Sequence, residues 1–479
     1  MDRVIRSSVR SPATPVGYYS DEAVRARVRE FCGATGDGAF TAAYLTEFNP
    51  DAAPFPTWDT ATSCAFAAGV PWSGGQDLAR SLWDTAQLVF FLELDYQNVD
   101  RPDEPFRHPA DAFLHLEPVY RAARLVLSRL RLAARTYVSG RGYHFIGTVR
   151  LDDPLVDELA GLVPGAPPWW HEHEARRPPA VTARLTERHA RAAEGLGLLV
   201  EHAAHLTLRR ARRASPMPVV FNGTVVGRGL NGRAAISIDF SHVGDPLDVR
   251  HVRTAFSTYQ WHRYRPDIFG ADVAVEVAPL AVVPRQQRTL LDLVANGRTL
   301  DAARETARGI RATLPDVGDG VGRLLESYRA SALARFHRPY LDALWSTRGR
   351  PARAEPPPLL PDCARAALVS PNDLLLQPAH VQHLTRELLA RGWNAARIAG
   401  LVLASYEADH GWGDRWRRLD AATRAAFDVR VFAGLVETGL DSLVDFNCVS
   451  AQEKGLCPRT QCGYNLLNDR RRLEKGRRA

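Results

Sequence analysis

The feature that most constrains the fold is an apolar run, LVFFLEL, which covers Leu88 to Leu94 and is followed directly by Asp95. A short run of large apolar residues predicts a buried strand. Side chains alternate between the two faces of a strand, so Glu93 and Asp95 should project from the same face. Buried carboxylates need a compensating cation, and Mg²⁺ or Mn²⁺ prefers oxygen ligands. The pair therefore predicts a metal-binding strand end, and the alternative is a strand end whose acids face water.

Short strands and longer helices alternate around this run. The predicted elements are a helix in Glu117 to Arg135, two strands in RTYVSGRGYHFIGTV, a helix in Val181 to Arg213, a strand in AAISIDFS and mostly helix from Arg285 to Trp345. Mixed elements of this kind predict an α+β class, with a small mixed or antiparallel sheet flanked by helices.

A turn and a third acid accompany the acidic strand. Residues 139–142 separate the two predicted hairpin strands, and the glycines allow backbone amides to approach phosphate oxygens, with Arg141 and His144 adding charge and hydrogen bonds. Asp239 ends the strand AAISIDFS. A polar, basic segment follows, and its side chains are Arg250, His251, Arg253, Ser257 and His262. Taken singly, these features also fit a surface hairpin and a solvated face.

Composition gives only permissive information. The formal net charge is +7, which suits a polyanionic partner. Lys454 and Lys475 are the only lysines, and so strong a preference for arginine indicates a GC-rich genome more than selection for DNA binding. The first twenty residues lack the apolar run of a signal peptide, and no apolar stretch is long enough to span a bilayer. We therefore expect a cytoplasmic protein with no membrane partner.

Proline, glycine and arginine dominate residues 346–361, which predicts a stiff linker. We therefore expect a catalytic-type domain in residues 1–345 and a helical domain with a basic tail in residues 362–479. Cys363 opens the second domain, and Cys448, Cys457 and Cys462 close it. Thiolates are soft ligands that suit zinc or an iron-sulfur centre, and both remain open from the residues alone. Cys32 and Cys64 lack such spacing and are expected to be buried small hydrophobic residues.

The motifs of the first domain resemble those of the archaeo-eukaryotic primase superfamily, between Leu88 and Pro266. The matching motifs, in the family's order, are Phe90-Phe91-Leu92-Glu93-Leu94-Asp95, Ser139-Gly140-Arg141-Gly142-Tyr143-His144 and Ile238-Asp239, followed by Arg250-His251-Val252-Arg253 and Ser257. One departure is Glu93, because the family has aspartate as the first acid of the strand motif.

The resemblance implies a primase-type catalytic domain and a role for each matching residue. Glu93, Asp95 and Asp239 would hold two Mg²⁺ or Mn²⁺ ions for nucleotidyl transfer. The residues implied to bind the nucleoside triphosphate are Ser139, Arg141, His144 and Arg253.

The second domain resembles the carboxy-terminal iron-sulfur domain of the primase large subunit, over about Leu360 to Leu467. The resemblance rests on Pro361-Asp362-Cys363-Ala364-Arg365, His383-Leu384-Thr385-Arg386, Cys448, Cys457-Pro458 and Cys462. It implies a four-iron-four-sulfur cluster held by the four cysteines, with zinc as the alternative. It also implies contact with template and primer, for which Arg386, Arg424 and Arg430 and the basic tail are candidates.

Together these motifs predict an enzyme that starts or extends chains on single-stranded DNA from nucleoside triphosphates. A gap-filling repair polymerase of the same superfamily and a catalytically silent nucleic-acid-binding iron-sulfur protein are the competing hypotheses. The pair His171 and His173 and the run Arg209 to Arg213 are more typical of a loop and a solvated helix end than of a site.

Overall fold

The structure is a computed structural model. It describes residues 18–34, 40–43, 45–49, 57–59, 78–172, 185–244, 251–259, 266–270, 283–284, 299–369, 375–408, 410, 420–458 and 462–476. These residues form an α+β protein, as the sequence predicts. None of the described helices is long and apolar enough to cross a membrane.

The described strands form two sheets. They are β1 (Leu45–Asn49), β2 (Thr57–Asp59), β3 (Leu78–Ser81), β4 (Gln87–Asn98), β5 (Arg135–Val138), β6 (Gly142–Arg150), β7 (Val219–Phe221), β8 (Ala234–Asp239), β9 (His251–Arg253) and β10 (Val283–Pro284). The larger sheet has the order β10-β5-β6-β4-β8-β7 and is antiparallel except for the β7–β8 pair. The second sheet, β2-β1-β3-β9, is fully antiparallel and was not expected from the sequence.

Helices cover the larger sheet. Those before residue 346 are α1 (Glu22–Phe31), α2 (Glu104–Arg107), α3 (Pro109–Arg129), α4 (Leu155–Ala160), α5 (Pro168–Glu172), α6 (Glu187–Ala211), α7 (Pro266–Phe269), α8 (Leu300–Gly309), α9 (Gly318–Arg329) and α10 (Ala332–Trp345). Helices α3 and α6 pack against each other and against β4. Strand β4 is central, and its Phe90, Leu92 and Leu94 are fully buried. The long apolar run is therefore an interior strand because both of its faces are covered.

Helices also dominate the chain after residue 361. They are α11 (Asp362–Arg365), α12 (Pro378–Ala390), α13 (Ala395–Tyr406), α14 (Ala421–Glu437), α15 (Cys448–Glu453) and α16 (Leu466–Gly476). Helix α14 packs against α10, α12 and α13. The basic tail contains α16, which packs against α12 and buries Leu473.

The middle of residues 346–361 packs against the rest of the protein, although most side chains of this segment are exposed. Glu407 pairs with Arg350 and Arg353, and a Cβ added at Gly400 would lie 1.7 Å from the carbonyl oxygen of Ala352. The main hydrophobic core continues on both sides of this segment, from Tyr18 to Leu440. The predicted stiff linker thus has its backbone against α13 at Ala352, and it does not separate two independent hydrophobic cores at residue 346. A second, smaller core gathers Cys363, Ala379, Val436, Leu443, Phe446, Ala451, Leu456, Leu466 and Leu473.

Candidate active site

The register of the larger sheet brings residues of all three motifs side by side. On β4, Glu93 lies opposite His144 of β6 on one side and opposite Asp239 of β8 on the other. Directly opposed residues of antiparallel strands project from the same face, so the three side chains form a row. Asp95 lies two residues along β4, on that same face. We call Glu93, Asp95 and Asp239 the acid cluster.

Glu93 is held in its ionised form by histidine. Its Oε1 lies 3.1 Å from Nε2 of His144. Burial opposes ionisation, but the charge and hydrogen bond of His144, helped by Arg141 and Arg253, outweigh it and lower the pKa of Glu93 to about 2. The glutamate that departs from the family pattern is thus an anion at neutral pH.

The ionised form of Asp95 is disfavoured by its surroundings. Its Oδ2 accepts from Nη2 of Arg141 at 2.7 Å, whereas its Oδ1 is buried with no hydrogen-bond partner among the described residues. Burial, opposed by Arg141 and reinforced by the charges of Glu93 and Asp239, raises the pKa of Asp95 to about 7. A buried carboxylate oxygen that the protein does not satisfy can be satisfied by a cation.

Asp239 is anchored by the short 3₁₀ turn that follows β8. Its Oδ1 accepts from the backbone nitrogen of Ser241 at 2.9 Å and from Ser241 Oγ at 2.7 Å. Burial and the charge of Glu93 raise the pKa of Asp239, against the two hydrogen bonds from Ser241. The sequence reasoning missed Ser241, although a serine two residues after an aspartate is a common side-chain turn.

The hairpin turn between β5 and β6 requires its two glycines. A Cβ on Gly142 would lie 1.7 Å from the carbonyl oxygen of Leu94, and one on Gly140 would lie 2.7 Å from the ring of Tyr259. Ser139 is buried in this turn, and its Oγ has no hydrogen-bond partner among the described residues. The turn therefore lies directly against β4 at the level of the acids, and it joins two strands as the SGRG motif predicts.

Arg253 approaches the acid cluster from the second sheet. Its guanidinium lies 4.6 Å from the ring centroid of Tyr259, and its Nη1 donates to the carbonyl oxygen of Thr258 at 3.0 Å. Its charge contributes to the lowered pKa of Glu93. Ser257, by contrast, accepts from the backbone nitrogen of Leu78 at 2.6 Å, which makes it a structural residue of the second sheet.

The acid cluster has the donor chemistry that hard divalent cations need. Three carboxylates lie on one face, where Arg141 contacts Asp95 and His144 contacts Glu93, and one oxygen of Asp95 is buried without a partner among the described residues. Glu93, Asp95 and Asp239 thus fit oxygen-ligated Mg²⁺ or Mn²⁺. Within the described residues, no group of three or more histidine, cysteine, aspartate or glutamate side chains could hold a metal ion as placed, so the fit concerns the type of donor and not a formed metal site.

The candidate cysteines lie around the smaller core. Cys363 belongs to this core, and Cys448 and Cys457 pack against it. Burial raises the pKa of the Cys363 thiol to about 12, and charge on Glu387, Cys457 and Cys462 raises it further. Cys363 comes from the start of this region, and Cys448 and Cys457 come from its end, so the smaller core brings the two ends together. Thiolate is a donor type that suits zinc or an iron-sulfur centre, but the described cysteines do not form a group of three or more side chains that could hold a metal ion.

Other groups surround these thiols. Nε2 of His383 lies 3.1 Å from the sulfur of Cys363, and the thiol of Cys448 faces the carbonyl oxygen of Tyr464 at 3.7 Å. Burial lowers the pKa of His383 to about 3. His383 belongs to a segment that carries the family resemblance, and its neutral imidazole adjoins a candidate ligand.

The three arginines suggested as nucleic-acid contacts are all engaged inside the protein. Arg386 is buried and binds Asp441 through two nitrogens at 2.8 Å. Arg430 is buried and donates to Glu201 at 2.9 Å. Arg424 pairs with Asp428 in the same helix at 3.2 Å. The suggestion is therefore wrong for Arg386 and Arg430, because buried arginines in ion pairs are not available to a phosphate backbone.

Some predictions fall outside the described residues. These are the ones that concern Cys64, His173, Arg250 and His262 and the side chain of His171. Cys32 is buried, as expected, and burial raises its pKa to about 12.

Comparisons with family models, with curated proteins and with solved structures found no match for this chain. The primase resemblance thus stays a prediction that rests on the motifs and on the arrangement of their residues.

Proposed function

We propose that the protein is a template-directed nucleotidyltransferase that synthesises primers or extends chains on single-stranded DNA. The observation that carries the proposal is the row formed by Glu93, His144 and Asp239 on three adjacent strands, with Asp95 on the same face. Three motifs far apart in the chain converge there, in the combination of acids and bases that phosphoryl-group chemistry requires.

Each residue of the row has a task in this proposal. Mg²⁺ or Mn²⁺ bound by Glu93, Asp95 and Asp239 would neutralise the triphosphate and favour attack by the primer hydroxyl. Arg141 keeps 43% of its side chain exposed while it pairs with Asp95, so its guanidinium can turn towards a phosphate. His144 is packed edge-on against Phe91, with ring centroids 5.2 Å apart, which fixes the direction of its Nε2.

The proposal assigns the cysteine region a supporting role in starting chains, through a four-iron-four-sulfur cluster, with zinc as the alternative. Contacts between this region and the sheet support it. Glu453 of α15 accepts from the backbone nitrogen of Arg228 at 2.6 Å, and its carbonyl oxygen accepts from Arg233 at 3.0 Å, just before β8. Phe427 of α14 packs against Gly244, in the turn that follows Asp239. These contacts hold the region after residue 420 beside the strand that carries Asp239.

One observation favours the catalytically silent alternative. Arg141 already satisfies one oxygen of Asp95, as an internal ion pair would in a site that never binds metal. In such a protein the cleft would bind nucleic acid without turnover.

The test is a primer-synthesis assay on single-stranded DNA with labelled ribo- and deoxyribonucleotides, run with Mg²⁺ and with Mn²⁺. The wild type should make new chains, and Asp239→Asn should not, whereas Asp319→Asn on the exposed face of α9 should behave as wild type. A parallel reaction on gapped duplex separates the alternatives. Extension without initiation identifies a gap-filling polymerase, and binding without incorporation in any reaction identifies the silent protein and rejects the proposal.

A further inference from the structure

A cavity of about 540 Å³ lies between the C-terminal ends of α3 and α6. Its described lining residues are Val126, Arg129, Leu130, Leu206, Arg209, Arg210, Arg213 and Ala214. They do not include any residue of the acid cluster or of the cysteine region. We call it the arginine cavity.

The four arginines of the cavity are exposed and pair with no described acid. Arg129, Arg209, Arg210 and Arg213 are all solvent-exposed, and none of them forms an ion pair with another described residue. Elsewhere in the described structure exposed arginines commonly have acidic partners, as Arg188 has with Asp157 at 2.6 Å. Four like charges around one concave surface repel one another and attract an anionic ligand.

Stabilisation of helix ends explains part of this arrangement. Arg129 lies in the last turn of α3, and Arg209 and Arg210 lie in the last turn of α6, where positive charge complements the helix dipole. That effect does not account for Arg213, which follows the end of α6, or for the apolar floor. A helix end is equally well stabilised on a convex surface, so the cavity calls for a second explanation.

The floor of the cavity indicates the class of ligand. It consists of aliphatic side chains, from Val126, Leu130, Leu206 and Ala214, and the described lining contains no aromatic or neutral polar side chain. Single-stranded nucleic acids and nucleotides are typically held by aromatic stacking and by hydrogen bonds to the bases. An aliphatic floor within a ring of arginines instead matches a peptide that carries both aliphatic and acidic side chains.

We propose that the arginine cavity is a docking site for an acidic peptide segment of a partner protein, whose aliphatic side chains enter the floor while its carboxylates meet the arginines. The volume accommodates a few aliphatic side chains, which suits a short linear segment better than a folded domain. Guanidinium–carboxylate pairs at the rim would give the orientation, and the floor would give the selectivity against other polyanions. The proposal does not depend on the nucleotidyltransferase activity.

The experiment is fluorescence anisotropy on the full chain with a short labelled peptide in which aspartates flank two leucines. The wild type should bind it. The double variant R209E/R213E should weaken binding on the order of tenfold or more, because two attractive contacts become repulsive. Arg323→Glu, an exposed arginine of α9 outside the cavity, is the matched control and should leave binding unchanged. Circular dichroism of each variant checks that the fold is retained.

Two further arms decide between ligand classes. A peptide in which serines replace the leucines should bind at least several-fold more weakly, and equal binding would mean simple charge attraction and overturn the proposal. Unlabelled single-stranded DNA should compete poorly. Tighter binding of DNA than of the peptide, lost in R209E/R213E and kept in R323E, would make the cavity a nucleic-acid site instead. Equal peptide binding by the wild type and R209E/R213E would reject the cavity as the binding site.

Discussion

The acid cluster and a second buried carboxylate, Glu201, differ in how basic groups compensate their negative charge. Glu201 lies in α6 and is fully buried. Its Oε2 accepts from Nε of Arg430 at 2.9 Å, and its Oε1 lies 3.3 Å from Nε2 of His337, whose Nδ1 lies 3.0 Å from the hydroxyl of Tyr328. We call Glu201, His337 and Arg430 the helix cluster, because they join α6, α10 and α14.

The balance of charge differs between the two clusters. In the helix cluster one acid faces an excess of basic groups, and despite burial Arg430 and His337 lower the pKa of Glu201 to about 2. In the acid cluster three carboxylates share few bases, and the pKa of Asp95 is raised to about 7. In the helix cluster both oxygens of Glu201 have partners inside the protein, and the nitrogen left without a described partner, Nη2 of Arg430, belongs to a base. The acid cluster has an excess of acid and a buried oxygen without a described partner, which an external cation can satisfy.

This difference predicts opposite results from removing an acid, and the largest effect is on catalysis. We expect Asp239→Asn to lower nucleotide incorporation on the order of a thousandfold, because it removes a charge from the proposed metal ligands. Asparagine keeps an oxygen that accepts from Ser241, so the turn should persist. Thermal stability should stay equal or rise as the charge crowding on Asp95 is relieved.

The measurements are single-turnover incorporation and thermal unfolding, side by side. Asp319→Asn serves as the control, because Asp319 is exposed in α9. Incorporation within tenfold of the wild type would remove Asp239 from the catalytic assignment.

The helix cluster should show the reverse pattern. Glu201→Gln leaves the guanidinium of Arg430 buried without its anion, which should lower the free energy of unfolding by about 3–5 kcal/mol. Incorporation per folded molecule should change little. Urea denaturation checks the first point, and activity corrected for the folded fraction checks the second.

A compensating pair sharpens this prediction. Glu201→Leu with Arg430→Met removes both charges together and should recover most of the lost stability, since a well-packed apolar pair often replaces a buried ion pair. If Glu201→Gln were neutral, the helix cluster would not be the clamp between α6 and α14 that its contacts indicate.

Local sequence was sufficient for part of the acid cluster. Strand alternation placed Glu93 and Asp95 on one face, and the SGRG motif predicted the turn at Gly140 and Gly142. The pairing of β8 with β4, which puts Asp239 opposite Glu93, is a long-range property that no local pattern specifies. Only the order of the motifs suggested it.

The helix cluster was missed, although its sequence carries a signal. The segment from Gly195 to His205, GLGLLVEHAAH, is apolar on every side of a helix, so a glutamate within it has no solvated face to occupy. The partners, His337 and Arg430, come from distant helices. For that reason Arg430 resembles a surface arginine in the sequence. Residues 346–361 resemble a stiff linker because their contact with α13 is likewise a tertiary contact, which local composition does not specify.

The cysteine region offers a third case for the comparison. We expect anaerobically purified protein to be brown, with broad absorption near ~400 nm and bound iron and sulfide, as iron-sulfur ligation requires. Serine at Cys363, Cys448, Cys457 or Cys462 should each lose the iron, whereas Cys32→Ser should keep it. The smaller core is distinct from the main core, so these variants should extend a supplied primer but start chains poorly.

Iron analysis, absorption spectra and parallel extension and initiation assays check these outcomes. Colourless protein with stoichiometric zinc would replace the cluster with a structural zinc site. Cysteine variants that initiate normally would show that the centre does not serve initiation.

The smallest expected effect is the pH dependence of stability, because the titrating groups of the two clusters change the free energy of unfolding with opposite signs as the pH falls. Burial lowers the pKa of His205 to about 3 and of His202 to about 4, beside Glu201. Both imidazoles have a pKa near ~6.5 in the unfolded chain. Their contribution to the free energy of unfolding is therefore complete above that pH and is lost as the pH falls towards their folded-state pKa values. The raised pKa of Asp95 acts oppositely, because that contribution grows as the pH falls below about 7.

Between pH 7 and pH 5 each of the two histidines lowers the free energy of unfolding by about 2 kcal/mol, and Asp95 raises it by about 2 kcal/mol. The two histidines together outweigh Asp95, and His383 acts in the same direction, so the wild type should lose stability on acidification and the variants should separate the two contributions. His202→Gln with His205→Gln should lose less stability on acidification than the wild type, and Asp95→Asn should lose more. Urea denaturation at pH 7 and pH 5 measures both differences. If the free energy of unfolding changed in parallel with pH in all three proteins, neither cluster would hold its side chains in the ionisation states that its contacts imply. The contrast between an acid-rich site and a base-rich cluster would then be wrong.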